Sequence, residues 1–216
     1  MPATGWEPMG PSTLPDSASP DALGLSGLDG FYRWHAWIYD WTRPFFLFGR
    51  KAAAAALEAR AGHLVLDVGC GTGINLPRLA RTGASVVAIE CTESMRRRAQ
   101  ARAGLTSRVL FDGRPYGTHP DYEGLADRIL FSYSLSMIPP FEAVIDRARR
   151  DLRAGGRIAV VDFLDAKGPA SRGLERSHVL LGPARLDLLK RQFPRHRLEI
   201  RPLGLWRHFL FVGEAG

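Results

Sequence analysis

Val65-Leu66-Asp67-Val68-Gly69-Cys70-Gly71-Thr72-Gly73 is the stretch on which the fold turns. A short apolar run carrying one acid passes into three glycines at alternate positions, and the pattern beyond them becomes helical. Glycines in such a strand-to-helix turn allow a tight bend and let backbone approach a ligand with no Cβ between them. A plain β–α turn needs one glycine, not three. The spacing is G-x-G-x-G rather than the G-x-G-x-x-G of dinucleotide folds, and no Gly-Lys-Ser/Thr follows, so a phosphate-cradling P-loop is excluded. An acid ahead of the loop suits a ligand with a cationic part better than one made of phosphates.

The same alternation repeats outward from this loop. Strands are expected at 63–68, 85–89, 108–111, 128–133 and 157–163. Helices are expected at 75–81, 92–103, 141–152 and 183–192, with a short one near Tyr122 and a polar linker between 163 and 183. Two extended stretches, 197–202 and 206–212, are close enough in sequence to pair antiparallel. Strands rich in Val, Ile and Leu that alternate with helices predict an α/β fold with a mostly parallel sheet covered on both faces. In such sheets ligands sit beyond the carboxyl ends of the strands. Glu90 and Asp112 end the second and third strands, Glu90 placed to accept from both ribose hydroxyls and Asp112 to meet an adenine amine. Met95 can pack on a base.

Ahead of the core the chain divides in two. Residues 1–28 are rich in Pro, Gly and Ser without hydrophobic periodicity and predict a flexible leader. From Phe31 the spacing of Phe31, Trp34, Ile38, Trp41 and Phe45 predicts a helix that Pro44 ends or kinks. A second helix is expected over 47–61, stopped by Gly62. Of 21 aromatic residues, nine lie between Phe31 and Phe48. Such a helical cap, 29–61, would precede a cofactor core at 62–165 and a substrate-side segment at 166–216, all one domain. Aromatic faces of this kind pack in a core or enclose a sulfonium or ammonium group. Tyr32 and Tyr39 are the candidates for the second role, because a buried hydroxyl needs a partner.

The 216-residue chain has a net charge of +7, and its first 30 residues contain no Lys or Arg. The rest carries all 29 basic side chains, 26 of them Arg, against 18 acids. The clusters Arg96, Arg97, Arg98, Arg102 and Arg147, Arg149, Arg150, Arg153, Arg157 lie on or just after two expected helices without interleaved aromatics, so nucleic acid is not an expected partner. Anionic lipid contact stays compatible with them. Cys70 and Cys91 have no metal-ligand spacing, and no metal is expected. No apolar run approaches the ~18 residues a membrane helix needs. A cytoplasmic protein, with peripheral membrane contact compatible, is the expectation.

Leu66–Gly73, Glu90, Asp112 and Leu152-Arg153-Ala154-Gly155-Gly156-Arg157 together resemble class I S-adenosylmethionine-dependent methyltransferases. The resemblance covers about residues 60–165. It implies a Rossmann-like, seven-stranded sheet with one antiparallel strand near the end, and S-adenosyl-L-methionine as the cofactor. It implies that Asp67 and the loop Gly69, Cys70, Gly71 and Gly73 hold the methionine and ribose parts, Glu90 the ribose, and Met95 and Asp112 the adenine side. Asn75, Cys91, Tyr39, Arg43 and Ser132 complete the expected cofactor set, Arg43 as a partner for the methionine carboxylate. Tyr32, Tyr39 and Ser132 are the expected catalytic residues. More narrowly, Ile38–Arg43 with Leu47–Arg50, and Ser132-Tyr133-Ser134-Leu135-Ser136-Met137-Ile138-Pro139-Pro140, are similar to motifs of betaine-lipid N-methyltransferases. That similarity implies an amine acceptor, with a lipid or homoserine-like head group as candidate; segments after Asp165, such as Ser177–Gly182, do not match it.

Methyl transfer to an amine needs positioning and desolvation more than a strong base. Two other readings stay open. One is chemistry at another sulfonium carbon, such as 3-amino-3-carboxypropyl transfer or cyclisation to azetidine-2-carboxylate with release of methylthioadenosine. The other is a cofactor-binding pseudoenzyme.

Overall fold

The computed structural model describes residues 48–104, 106–118, 122–176 and 179–216. The leader and the aromatic helix predicted before Phe48, with Tyr32, Tyr39 and Arg43, lie outside the described residues. The described chain begins with helix α1 (Arg50–Ala56). There follow β1 (Leu64–Val68), α2 (Leu76–Ala80), β2 (Ser85–Ile89), α3 (Glu93–Ala103), β3 (Val109–Asp112) and β4 (Ala126–Ser132). A 3-10 turn at Leu135–Met137, α4 (Phe141–Asp151), β5 (Leu152–Ala166), α5 (Pro169–Arg176), α6 (Ala184–Gln192), β6 (His196–Leu203) and β7 (Trp206–Glu214) complete it.

The strands form one seven-stranded sheet in the order β3-β2-β1-β4-β5-β7-β6. β1 pairs parallel with β2 and β4, and β4 with β5; β7 alone runs opposite, antiparallel to both β5 and β6. The sequence leaves β1 to one side for β2 and β3, then returns to its other side for β4. That reversal opens a crevice above the carboxyl end of β1, where ligands bind in open α/β sheets. Asp67 sits there, in register with Ala88 of β2 and Leu130 of β4.

The central strands are buried on both faces. Leu66, Val68, Ile129, Phe131 and Val160 pack with Val144 and Ile145 of α4 and Leu186 and Leu189 of α6. On the opposite face Val65, Val86, Leu130 and Val161 pack with Ala53, Ala54 and Leu57 and with Ala99 of α3. Each fully buried Val, Leu or Ile contributes about 1.5–3 kcal/mol, which explains strands that are apolar on both sides.

Several elements differ from expectation. The second predicted helix, 47–61, is cut to seven residues, because Leu57 caps it and Glu58 takes a positive φ of 50°. The predicted helix near Tyr122 is a turn that closes at Gly124, φ 69°. The fifth strand runs from 152 to 166 rather than 157 to 163: β7 pairs with it from Arg157 as far as Ala166, and Leu152 at its start pairs with Ala126 of β4. The supposed linker after it contains α5.

Candidate functional site

The glycine loop leaves β1 above the switch point, and its three glycines all have positive φ: 65° at Gly69, 58° at Gly71 and 75° at Gly73. They serve different contacts. A Cβ on Gly69 would lie 2.5 Å from Cβ of Ser134, and one on Gly73 would lie 2.9 Å from Cα of Ala99, whereas one on Gly71 would meet nothing within 4 Å. Gly69 and Gly73 therefore let the segment just after β4 and helix α3 close on the loop, and Gly71 leaves open space. Ser134 secures the first contact, its buried hydroxyl donating to the Val68 carbonyl at 2.6 Å.

Asp67 is fully buried, and neither carboxylate oxygen has a hydrogen-bond partner. Burial raises its pKa; Arg50 opposes this and Glu90 adds to it, and the carboxyl is pushed up to about 7. A buried, unbonded carboxylate is costly unless a donor or cation arrives. Glu90, just beyond β2, is tied in at both oxygens. One accepts the Gly71 N–H at 3.0 Å and the other the Thr92 N–H at 2.9 Å. Burial raises its pKa too, against those two backbone bonds. A carboxylate has about four acceptor positions, so acceptor capacity remains for a diol.

Asp112, at the end of β3, is saturated. Arg114 donates to one oxygen from its backbone N–H (2.9 Å) and Nε (3.0 Å). Its Nη2 and the Tyr122 hydroxyl reach the other oxygen, each at 2.8 Å. Burial works to raise this carboxyl, and the bonds from Arg114 and Tyr122 outweigh it and hold it below its ordinary range. A cavity of about 10 Å³ remains between Ile89, Asp112, Pro115, Tyr116 and Tyr122. An adenine amine could bond Asp112 only if one of its present donors moved.

Of the other expected residues, Met95 on α3 and Asn75, two positions after Gly73, are buried, and Cys91 is exposed. Cys70 is buried, and that burial drives its thiol pKa up, against any nucleophilic role. The Ser132 hydroxyl, at the carboxyl end of β4, is buried without a partner, a second polar group free to meet a ligand. Its neighbours in the motif 132–140 are structural. Tyr133, at φ 59°, donates its hydroxyl to the Phe48 carbonyl at 2.7 Å and packs on Phe163. Ser136 is sealed against Asp162, to which its hydroxyl donates at 2.7 Å.

Sequence reasoning missed Ser134, Arg114 and Tyr122, and it read Arg96 and Arg102 only as members of an arginine cluster compatible with anionic lipid. Arg102 in fact bonds Thr72 in the loop, through the carbonyl at 2.8 Å and the hydroxyl at 2.9 Å. The one available signal was spacing, since Arg102 stands three residues after Ala99 and so on the same side of α3. Among the described residues no group of three or more His, Cys, Asp or Glu is placed to hold a metal ion.

The unbonded acid, the anchored Glu90 and the open space at Gly71 could hold a ligand that carries a cationic group and a ribose diol. A family model described as a methyltransferase domain matches residues 65–156. The demethylmenaquinone methyltransferase of Tropheryma whipplei (strain Twist) is 35% identical over 118 residues, 53% of this chain and 47% of that protein. The 27-O-demethylrifamycin SV methyltransferase of Amycolatopsis mediterranei (strain S699) is 36% identical over 126 residues, 56% of this chain and 46% of that protein. The chain thus spans about half the length of these relatives. The Burkholderia thailandensis 1,6-didemethyltoxoflavin-N1-methyltransferase, solved with S-adenosylhomocysteine, superposes with a TM-score of 0.66 at 22% identity, over 95% of this chain and 93% of that one. A phosphoethanolamine N-methyltransferase of Haemonchus contortus gives 0.67 at 12% identity, over 76% and 52%. These likenesses show the Rossmann-like methyltransferase fold.

Proposed function

We propose that the protein is an S-adenosylmethionine-dependent methyltransferase that methylates an amine. The observation that carries the proposal is the buried, unbonded carboxylate of Asp67 beneath the glycine loop, beside an anchored Glu90. Asp67 would take the cationic methionine end and Glu90 the ribose hydroxyls. When bound, S-adenosylmethionine supplies a methyl group on a positively charged sulfur, which an amine lone pair can take while the bonding electrons stay on sulfur. The chain's own part is positional: the loop fixes the cofactor, and Ser132 presents a hydroxyl at the end of β4. An amine that reaches the site neutral needs no strong base.

The amine class rests on the resemblance of the motif 132–140 to betaine-lipid N-methyltransferases, with a homoserine-like or lipid head group as the finer candidate. The test is to incubate the protein with S-adenosylmethionine, alone and with ethanolamine, homoserine or a dispersed aminolipid, and to identify the nucleoside released. S-adenosylhomocysteine formed only with an amine present is the expected result. Methylthioadenosine released without an acceptor would overturn methyl transfer in favour of attack at another sulfonium carbon. Binding with no product in any mixture would leave a cofactor-binding pseudoenzyme.

A further inference from the structure

Arg96 belongs to the arginine run 96–98, yet its guanidinium lies between two turns of the candidate site. Nη1 donates to the Glu90 carbonyl at 2.9 Å and to the Cys91 carbonyl at 3.4 Å, both in the turn that leaves β2. On its other side it lies against Gly113, the first residue after β3. A Cβ built on Gly113 would come within 2.9 Å of both Cζ and Nη1 of Arg96. Gly113 does not adopt a positive φ, so its backbone would accept any residue, and what excludes a side chain there is the guanidinium alone. Arg97, the next residue, faces solvent and pairs with Glu93 instead.

We propose that Arg96, seated against Gly113, is a positioning residue that sets the separation of the β2 and β3 turns and thereby shapes the subsite for the nucleoside half of the cofactor. The inference rests on the S-adenosylmethionine reading of this same site. The β2 turn carries Glu90, and the β3 turn carries Asp112 and its clasp with Arg114 and Tyr122. The two turns share one direct backbone bond, Glu90 N–H to the Asp112 carbonyl at 2.9 Å. Arg96 is the side chain that braces them beyond it. Its positive charge also favours the ionised form of Glu90.

The test needs no acceptor. Binding of S-adenosylhomocysteine and of adenosine is measured by calorimetry for wild type, Arg96→Ala, Arg96→Lys, Gly113→Ala and the control Arg97→Ala. Arg96→Ala is expected to weaken both ligands about tenfold, equivalent to about 1.4 kcal/mol, and Arg96→Lys to recover part of the loss. Gly113→Ala should weaken binding in the wild-type background and have no further effect in the Arg96→Ala background, where no guanidinium is left to displace. Arg97→Ala should bind like wild type. Retention of wild-type affinity by Arg96→Ala overturns the proposal. So do equal Gly113→Ala effects in both backgrounds, or losses that follow only the melting temperature of the free protein. Failure of the wild type to bind S-adenosylhomocysteine overturns the cofactor reading itself, and with it this inference.

Discussion

Asp67 carries the strongest chemical statement in the molecule, and its sign can be worked out. Its ordinary pKa is 3.8, and burial with the neighbouring Glu90 charge, less the pull of Arg50, pushes it to about 7. A group that holds its proton more tightly folded than unfolded costs stability as pH rises between those two values and no more above the higher one. The free protein should therefore lose melting temperature between pH 5 and pH 7 and level off beyond. Asp67→Asn should flatten that slope, leaving the smaller contribution of Glu90, which is shifted the same way. Ligand binding runs oppositely. The ligand's ammonium group needs the ionised carboxylate, so affinity for S-adenosylhomocysteine, which keeps that ammonium but has a neutral sulfur, should rise from pH 6 to pH 8 in wild type, by at most about tenfold per unit for one proton. In Asp67→Asn it should be weak and nearly independent of pH. Calorimetric titrations across that range decide the point; a flat wild-type profile would remove Asp67 from the binding role. Asp67 and Glu90 stood out in the sequence as candidates through their joint placement at strand ends beside a glycine loop, since a single acid there is often only a turn residue. Ser134 and Arg114 were not, since nothing local marks a serine that must fit against a glycine 65 positions away or an arginine that folds back onto the acid two residues before it.

The connection of loop to helix makes a second point. Gly73 brings the loop against α3, where an added Cβ would meet the Ala99 backbone at 2.9 Å and the Leu76 side chain at 2.8 Å. Backbone cannot swing aside as a side chain can, and the residue is also at φ 75°. Gly73→Ala should cost about 2–4 kcal/mol, combining the left-handed conformation with overpacking. Gly71→Ala, in open space at φ 58°, should cost only the conformational part, about 1–2 kcal/mol. Thermal melts of the two variants, compared with each other, separate the terms. Equal losses would mean that α3 does not press on the loop. The alternation of strand and helix around this loop was readable because the central strands β1, β2, β4 and β5 are apolar on two faces. The errors fell where tertiary partners overrule local pattern. β5 is long because β7 zips along it from Arg157 to Ala166, and Leu152-Arg153-Ala154-Gly155-Gly156 has no local strand signal. The predicted helix at 47–61 shortened because Arg128 and Arg157 claim the carbonyls of Leu57 and Ala56 at its end.

Charge is the property in which sequence and structure differ most for the molecule as a whole. A basic chain rich in arginine suggests an affinity for anionic surfaces, but the described arginines are largely engaged within the protein. At the carboxyl end of the sheet Arg96 bonds the Glu90 carbonyl, Arg97 pairs with Glu93, Arg114 with Asp112 and Arg207 with Asp165. At the other end Arg128 bonds the Leu57 carbonyl, Arg153 pairs with Asp127, and Arg157 with Glu58 and Glu214. Arg195 and Arg197 line a cleft of about 300 Å³ at that second end, away from the cofactor loop. The ion pairs among these add little stability, yet each places an opposite charge beside its arginine and so weakens the field an anionic membrane would feel. No helix among the described residues is long and apolar enough to cross a membrane. Sedimentation with phosphatidylglycerol vesicles should therefore be weak and should vanish near 0.15 M salt, where screening acts over about 8 Å. Salt-resistant sedimentation would mean that apolar contacts, not these arginines, hold the protein to lipid. A lipid-headgroup acceptor would then gain support, because its approach would have to bring the carboxyl end of the sheet to the surface while the basic cleft faced away.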